Sequence, residues 1–408
     1  MRLALAGLLL ATALSPAENW WLEDLGFTKA GLDGSGVTIA VIDTGIEDSH
    51  PDLIGTVIGG VDLSGVGTPD GTTPVGTSSF HGTMVASLIA GQGSAESGVL
   101  GVAPAAGLLS ISIGLGVRNA DTDAQIASAV IWAVDHGADI INLSLTRNSQ
   151  SWPTSWDEAF GYAFENDVVV VAAAGNRTDG SGRPSSPATI PGVVAVGGVT
   201  QALQPSQQVV EGYQVSVVAP AESLFGAYPG ETFRSWGGSS AAAPLVSGLL
   251  ALMKQADPAA SANDLIQRLL ESSSDLGEPG IDAAFGHGLI NPVAALASNA
   301  TATENPLGSL SRWVELYRSS TAVEDSGLSE PEDPTVVTDN PATMSAAQPK
   351  SGPSSASQAA NKGLDGLIYW LLLPLAPALW LVLRQMRKGK AKATKKIKGM
   401  PHHDSSDQ

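Results

Sequence analysis

The feature that most constrains this chain is a series of short, almost unbroken apolar runs separated by segments with helical spacing. Val37–Asp43 (VTIAVID), Leu108–Ile113, Ile140–Leu145, Val168–Ala174, Val193–Val199 and Val215–Ala219 are runs rich in Val, Ile and Ala. Between them lie the helix-like segments Gly82–Ala90, Thr122–His136 and Trp156–Glu165, and after them Ala241–Gln255 and Ala262–Ser272. A strand wetted on one face alternates apolar and polar residues, whereas one covered on both faces has no need to. The pattern therefore predicts an α/β fold with a central parallel sheet covered by helices on both faces. Ala241–Gln255 is apolar almost all round, which predicts a buried helix. Sites on such sheets form beyond the carboxyl ends of the strands. That places Asp43 and Asn176, which end or closely follow strands, at the functional edge.

Composition removes several classes of function. Hydrophobic residues are 43% of the chain, enough for a large packed core and too many for wholesale disorder. Cysteine is absent, which excludes a disulfide scaffold, a thiolate metal site and a cysteine nucleophile. Eight of the 21 basic residues lie in Arg384–Lys398, and only two of the 40 acidic residues follow position 383. The remainder thus carries 13 basic against 38 acidic residues, and so acidic a body repels nucleic acid.

Both ends read as addresses. Met1–Arg2, the apolar Leu3–Leu14 and the small residues Ala13, Ser15 and Ala17 follow signal-peptide grammar, with cleavage near Ser15 or Ala17. A buried N-terminal helix is the plainer alternative. Leu367–Leu383 is 17 residues without a charge, about 25 Å as a helix, with Tyr369, Trp370 and Trp380 near its ends. The basic run that follows predicts a cytoplasmic C-terminus and an outward-facing body. A polar tract rich in Ser, Thr, Pro and acids separates this segment from the body, which argues against a buried core helix. The predicted organisation is a signal peptide over 1–17, a globular domain over 18–299, a mostly disordered tether over 300–362, a transmembrane helix over 363–384 and a basic tail over 385–408. Within the tether, Ser309–Ser319 has apolar residues at helical spacing and is a candidate for docking on the body or the membrane.

Three short motifs fall at element boundaries. Asp43-Thr44-Gly45 follows a strand, where an acid can serve as metal ligand, cap or triad carboxylate. His81-Gly82-Thr83 opens a helix, where a histidine is by itself more often structural. Gly238-Ser239-Ser240-Ala241-Ala242-Ala243-Pro244 opens the buried helix, where a serine can be a simple N-cap or a nucleophile in the positive field of the helix start. Together they give the order Asp, His, Ser. The chemistry is complete on its own terms. Ser240 needs a base, His81, and His81 needs a carboxylate, Asp43, to fix its tautomer. A tetrahedral oxyanion needs donors, which the Asn176 amide and the Ser240 N–H can supply.

With these residues the chain, over about 20–298, resembles the subtilisin-like serine peptidases. Asp43 matches the family's Asp-Thr/Ser-Gly motif, His81 its His-Gly-Thr, Ser240 its nucleophile motif, and Ala172-Ala173-Ala174-Gly175-Asn176 its oxyanion asparagine. Ser239 and Ala241 depart from the usual Thr and Met, and Ser239 stands as a rival nucleophile. The resemblance implies the subtilisin-like three-layer fold and hydrolysis of a protein or peptide substrate through an acyl-enzyme. It also implies that substrate is clamped as an added strand by Ile113, Gly114, Leu115 and Gly116 on one side and Leu143, Ser144, Leu145 and Thr146 on the other, with Gly175 nearby. Thr146 stands where glycine is usual, which narrows the first specificity pocket.

The start Asn19–Gly34, the run AVDHGADIINLSL, the ending Gly286–Ala295, the tether and the membrane helix resemble mycosins, the membrane-anchored subtilases of type VII secretion. That layout implies a partner in a membrane secretion complex, and the alternative of a scaffold whose peptidase activity is secondary. The absence of cysteine departs from the disulfides many mycosins carry. The short stretch between the predicted cleavage site and Gly34 leads us to expect no folding propeptide. No metal site or cofactor is expected for catalysis. The resemblance makes the acid-rich stretch Asp121–Asp123 a candidate to help hold a structural calcium ion, as in some subtilases, and a surface helix start accounts for those acids equally well. His287, between glycines, reads as structural.

Overall fold

The computed structural model describes residues 19–93, 98–180 and 182–318. The predicted signal peptide, membrane helix and basic tail, and the tether beyond 318, lie outside the described residues. Seven parallel strands form one sheet: β1 (Thr38–Asp43), β2 (Val57–Asp62), β3 (Gly107–Ser112), β4 (Ile140–Leu143), β5 (Val169–Ala173), β6 (Val194–Val199) and β7 (Val217–Pro220), in the order β2-β3-β1-β4-β5-β6-β7. β1 is therefore flanked by β3 and β4, with chain order running outward through β4 to β7 on one side and inward from β2 to β3 on the other. Asp43 pairs with Ser112 at the carboxyl end of β1, at this switch point.

The side chains show why the runs are apolar without alternation. Along β5, Val169, Val171 and Ala173 enter one core while Val170 and Ala172 enter the other. The first core is covered by α2 (His81–Ala90), α5 (Ser239–Ala256) and α6 (Ala262–Ser272), together with the N-terminal α1 (Trp20–Asp24). The second is covered by α3 (Thr122–Asp135) and α4 (Ser155–Glu165). These are the three layers expected from the sequence.

Helix α5 is the centre of the first core, with 14 of its 18 residues buried. Leu249 and Leu250 are completely covered, so truncating either to alanine removes about 2–5 kcal/mol. Pro244 lies inside this helix and has no N–H for the carbonyl four residues back, that of Ser240. The Ser144 hydroxyl supplies the missing donor to that carbonyl at 2.9 Å. Asn142 donates to the same hydroxyl at 3.0 Å and accepts from Ser247 at 2.9 Å. This buried polar chain ties β4 to α5 beneath the start of the helix.

Two further elements flank the site. Strands β8 (Leu224–Tyr228) and β9 (Thr232–Trp236) form an antiparallel hairpin leading directly into α5. The chain then passes α7 (Pro292–Ala297) and ends, among the described residues, in α8 (Leu310–Tyr317). Ser309–Ser319 was a candidate for docking on the body, and α8 does so: Leu310 is buried in the second core, and Trp313 lies 4.5 Å, centroid to centroid, from Trp152. Arg318 clamps this contact by pairing with Asp157 and lying over the Trp313 ring. No helix among the described residues is long and apolar enough to cross a membrane.

Candidate active site

Asp43 is fully buried at the end of β1, and its carboxylate accepts the Thr44 N–H at 2.7 Å. His81 opens α2 and points Nδ1 at both carboxylate oxygens, each 2.9 Å away. A carboxylate only accepts, so Nδ1 carries a proton, and in the neutral imidazole Nε2 keeps its lone pair. Thr44 staples the two motifs together by accepting from Gly82 N–H at 3.0 Å and donating to the Ser79 carbonyl. A Cβ on Gly82 would stand 2.3 Å from the Gly45 carbonyl oxygen, so the helix can begin this close to β1 only with glycine there.

Electrostatics poise the imidazole. Burial pushes its pKa down, but the neighbouring Asp43 charge and hydrogen bond outweigh that and hold it above the ordinary histidine range. The indole of Trp236 meets the His81 ring edge to face, with centroids 5.6 Å apart.

Ser240 is the second residue of α5, after the N-cap Gly238, so the simple N-cap alternative does not hold. Its N–H belongs to the first helical turn, whose donors have no intrahelical partner. Its hydroxyl donates to the Ser144 carbonyl at 3.0 Å rather than to His81. Ser239 is fully buried, accepts from Gly175 N–H at 3.1 Å and directs its own N–H to Asn176 Oδ1 at 2.9 Å. Its hydroxyl also reaches Asn176 Oδ1, at 3.2 Å. Ser239 is thus fully buried with its hydroxyl engaged on both sides, whereas Ser240 is partly exposed. With two donors on its oxygen, Asn176 has one permitted orientation, and its Nδ2 faces the other way. A Cβ on Gly238, where φ is 93°, would come within 2.7 Å of Asn176 Oδ1.

His81, Ser240, Ser239 and Asn176 line one cleft of about 400 Å³. Of the expected clamping residues, Leu115, Gly116, Ser144, Leu145 and Thr146 border it. Ile113 and Leu143 send their side chains into the second core. The Gly114 N–H is taken by Gln125 at 2.7 Å. Gly175 is not among the residues that line the cleft; a Cβ there would meet the Thr146 methyl at an ordinary contact distance of 3.6 Å. Thr77, Asn148 and Asp179 also line the cleft and were not singled out in the sequence, because Thr77 and Asn148 sit in loops and Asp179 ends a single 3₁₀ turn (Arg177–Asp179) too short to show periodicity.

The acids considered for calcium are otherwise engaged: Asp121 caps α3, and Asp123 takes a bidentate pair from Arg147 at 2.7 Å. Among the described residues no cluster of three or more His, Cys, Asp or Glu is placed to hold a metal ion. His287 is half-buried away from the cleft, and burial lowers its pKa.

A seven-stranded parallel sheet with Asp, His and Ser at its carboxyl edge and an asparagine beside the serine defines a subtilisin-type serine endopeptidase. The chain belongs to the Subtilase family (Peptidase_S8), whose family model matches residues 34–288. It is 37% identical over 268 residues to subtilisin DY of Bacillus licheniformis, an alignment covering 65% of this chain and 92% of that protein. It is also similar to the solved structure of MycP1 with its N-terminal propeptide removed, with a TM-score of 0.58, 30% identity, and 71% of this chain and 99% of that one covered. The MycP3 protease from the type VII (ESX-3) secretion system gives a TM-score of 0.58 at 31% identity, covering 70% of this chain and 88% of that one. The mycosin-like layout read from the sequence is supported by these two structures.

Proposed function

We propose that Ser240, His81 and Asp43 form the catalytic triad, with Asn176 Nδ2 and the Ser240 N–H as the oxyanion hole. The observation that carries this is the buried Asp43 holding His81 with Nε2 free on the same cleft as Ser240 and Asn176. The Ser240 hydroxyl leaves the Ser144 carbonyl and turns to His81 Nε2, which takes its proton as Oγ attacks the scissile carbonyl. The oxyanion collects the two N–H donors, and the imidazolium, steadied by Asp43, then protonates the leaving amine. Water activated by the same imidazole releases the acyl group and returns the proton to Ser240.

The same proposal places the body outside the cell, anchored by the helix over 363–384, and cutting a restricted set of proteins. The uncharged run, the basic residues after it and the Thr146 side chain in the specificity pocket support it, as does the likeness to MycP3 from a secretion system. A second reading, a scaffold for a membrane secretion complex, draws on that likeness and on the resting Ser240 hydroxyl bonded to Ser144 rather than to His81. Labelling of the full-length protein by a fluorophosphonate, lost in Ser240→Ala, supports the enzyme. No labelling and no peptide hydrolysis, with membrane partners co-purifying equally well with Ser240→Ala, supports the scaffold. For topology, protease added to spheroplasts digests the body and spares a tag after Gln408; a digested tag beside a protected body refutes the orientation.

A further inference from the structure

We infer that Asp179 makes the first specificity pocket select a lysine or arginine side chain on the substrate. The inference deepens the peptidase reading above and rests on it.

The segments that leave β4 and β5 line the cleft with Ser144, Leu145, Thr146 and Asn148 and with Asn176 and Asp179, and the resemblance to subtilases makes these the walls of that pocket. Their formal charges are sorted in one direction. Arg147 turns away to Asp123 and lies over Trp156, and Arg177 turns away to Glu211. Asp179 stays on the cleft, and no lysine or arginine is among the residues that line it. Its Oδ2 accepts the Asn176 N–H at 2.9 Å, and its Oδ1 has only a long 3.5 Å contact from the Thr178 hydroxyl. One oxygen is thus committed to holding the oxyanion asparagine's main chain. The other has acceptor capacity to spare and no cationic partner among the described residues.

Reach matches this assignment. The substrate residue whose carbonyl lies between Ser240 and Asn176 places its side chain between the two walls. Asp179 is bonded to the backbone of Asn176 itself, so its carboxylate lies within one residue's span of the oxyanion donor. A lysine side chain extends about 6 Å from its Cα, long enough to cross such a span, whereas an alanine is not. Thr146 lines the same cleft, and its branched side chain disfavours a broad aromatic ring and suits a thin alkyl stem. The strongly acidic body adds a long-range field of the same sign, which favours basic segments on approach.

A merely structural Asp179 would cap Asn176 and show no preference for charge. The test uses the full-length protein and fluorogenic tetrapeptides that differ only in the residue before the scissile bond: Lys, Arg, Met, Ala or Glu. Methionine matches the length of the lysine stem without its charge. The expected kcat/KM for Lys and Arg exceeds that for Met by about tenfold at low ionic strength, and the margin shrinks with added salt. Asp179→Asn keeps an oxygen acceptor for the Asn176 N–H and removes the charge, so it brings the Lys-to-Met ratio close to one; Asp179→Ser provides a second variant. A wild-type ratio at or below one overturns the inference, as does an undiminished ratio in both variants. In parallel, affinities of Lys- and Met-bearing peptides are measured on Ser240→Ala, where turnover is not needed. If the wild-type protein neither hydrolyses peptides nor takes up a fluorophosphonate, the peptidase reading fails, and this arm still decides whether the pocket prefers a cation.

Discussion

Replacing Ser144 with alanine tests whether the nucleophile helix depends on a hydroxyl borrowed from β4. Pro244 deprives the Ser240 carbonyl of its helical donor, and Ser144 Oγ replaces it. Ser144→Ala strands that carbonyl and also the Asn142 amide, which donates to the same oxygen. Ser144 and Asn142 are almost completely buried, so water cannot readily step in. Each stranded group costs about 1–3 kcal/mol, and part returns because the alanine has no hydroxyl to desolvate. The expected loss of stability is therefore about 2–4 kcal/mol. Urea denaturation in a Ser240→Ala background, which prevents self-digestion and keeps the main-chain carbonyl, measures it. The decisive arm is Pro244→Ala, which restores an N–H to the Ser240 carbonyl. In that background Ser144→Ala should cost about 1–2 kcal/mol less. If the two changes are additive within about 0.5 kcal/mol, the proline and the serine are not linked and the argument fails.

Other consequences can be checked directly. Asn176→Ala lowers kcat by about a hundred- to thousandfold with little change in KM, and an unchanged kcat removes Asn176 from the oxyanion hole. Ser239→Ala releases one of the two donors that fix the Asn176 amide and lowers kcat by about tenfold without preventing fluorophosphonate labelling; a change confined to KM would contradict the positioning role. Ser240→Ala and His81→Ala each abolish nearly all hydrolysis, and the double variant is hardly worse, whereas multiplicative losses would refute a shared step. His81 must be neutral to act as base and its pKa is raised, so kcat/KM rises with pH through a midpoint above the ordinary histidine value of about 6.5. A midpoint below that value in the free enzyme contradicts the Asp43–His81 coupling. The same raised pKa means this pair stabilises the fold fully below the unfolded histidine's pKa, and that share is lost as pH climbs through the folded one.

The parallel sheet was legible because its inner strands are covered on both faces and advertise it with unbroken apolar runs. β2 (VIGGVD) was not, since it is an edge strand, only half-buried, with two glycines in its middle. The β8–β9 hairpin lies outside the main sheet and its second strand is largely exposed, so Trp236 and its contact with His81 carried no periodic signal. The motifs located Asp43, His81, Ser240 and Asn176 because each sits where a strand ends or a helix starts. The apolar run in β4 was read two residues too long: Ser144 and Leu145 peel off the sheet to line the cleft. Asp179 was invisible for a different reason, since an acid in a single short turn looks the same whether it faces solvent or a pocket.

The bonds that assemble the site span long stretches of chain: 38 residues from Asp43 to His81, 63 from Asn176 to Ser239 and 96 from Ser144 to Ser240. A nascent polypeptide can make β1, α2 and β4 and still hold no competent centre, because the serine arrives with α5 and is aligned only when that helix is buried against the sheet. If the proposed triad is the catalytic one, a molecule in which α5 has not docked holds no assembled centre and cannot cut its neighbours. On the proposed mechanism, the burial that stabilises α5 doubles as a timer, bringing Ser240 to its partners only once that helix is packed against the sheet.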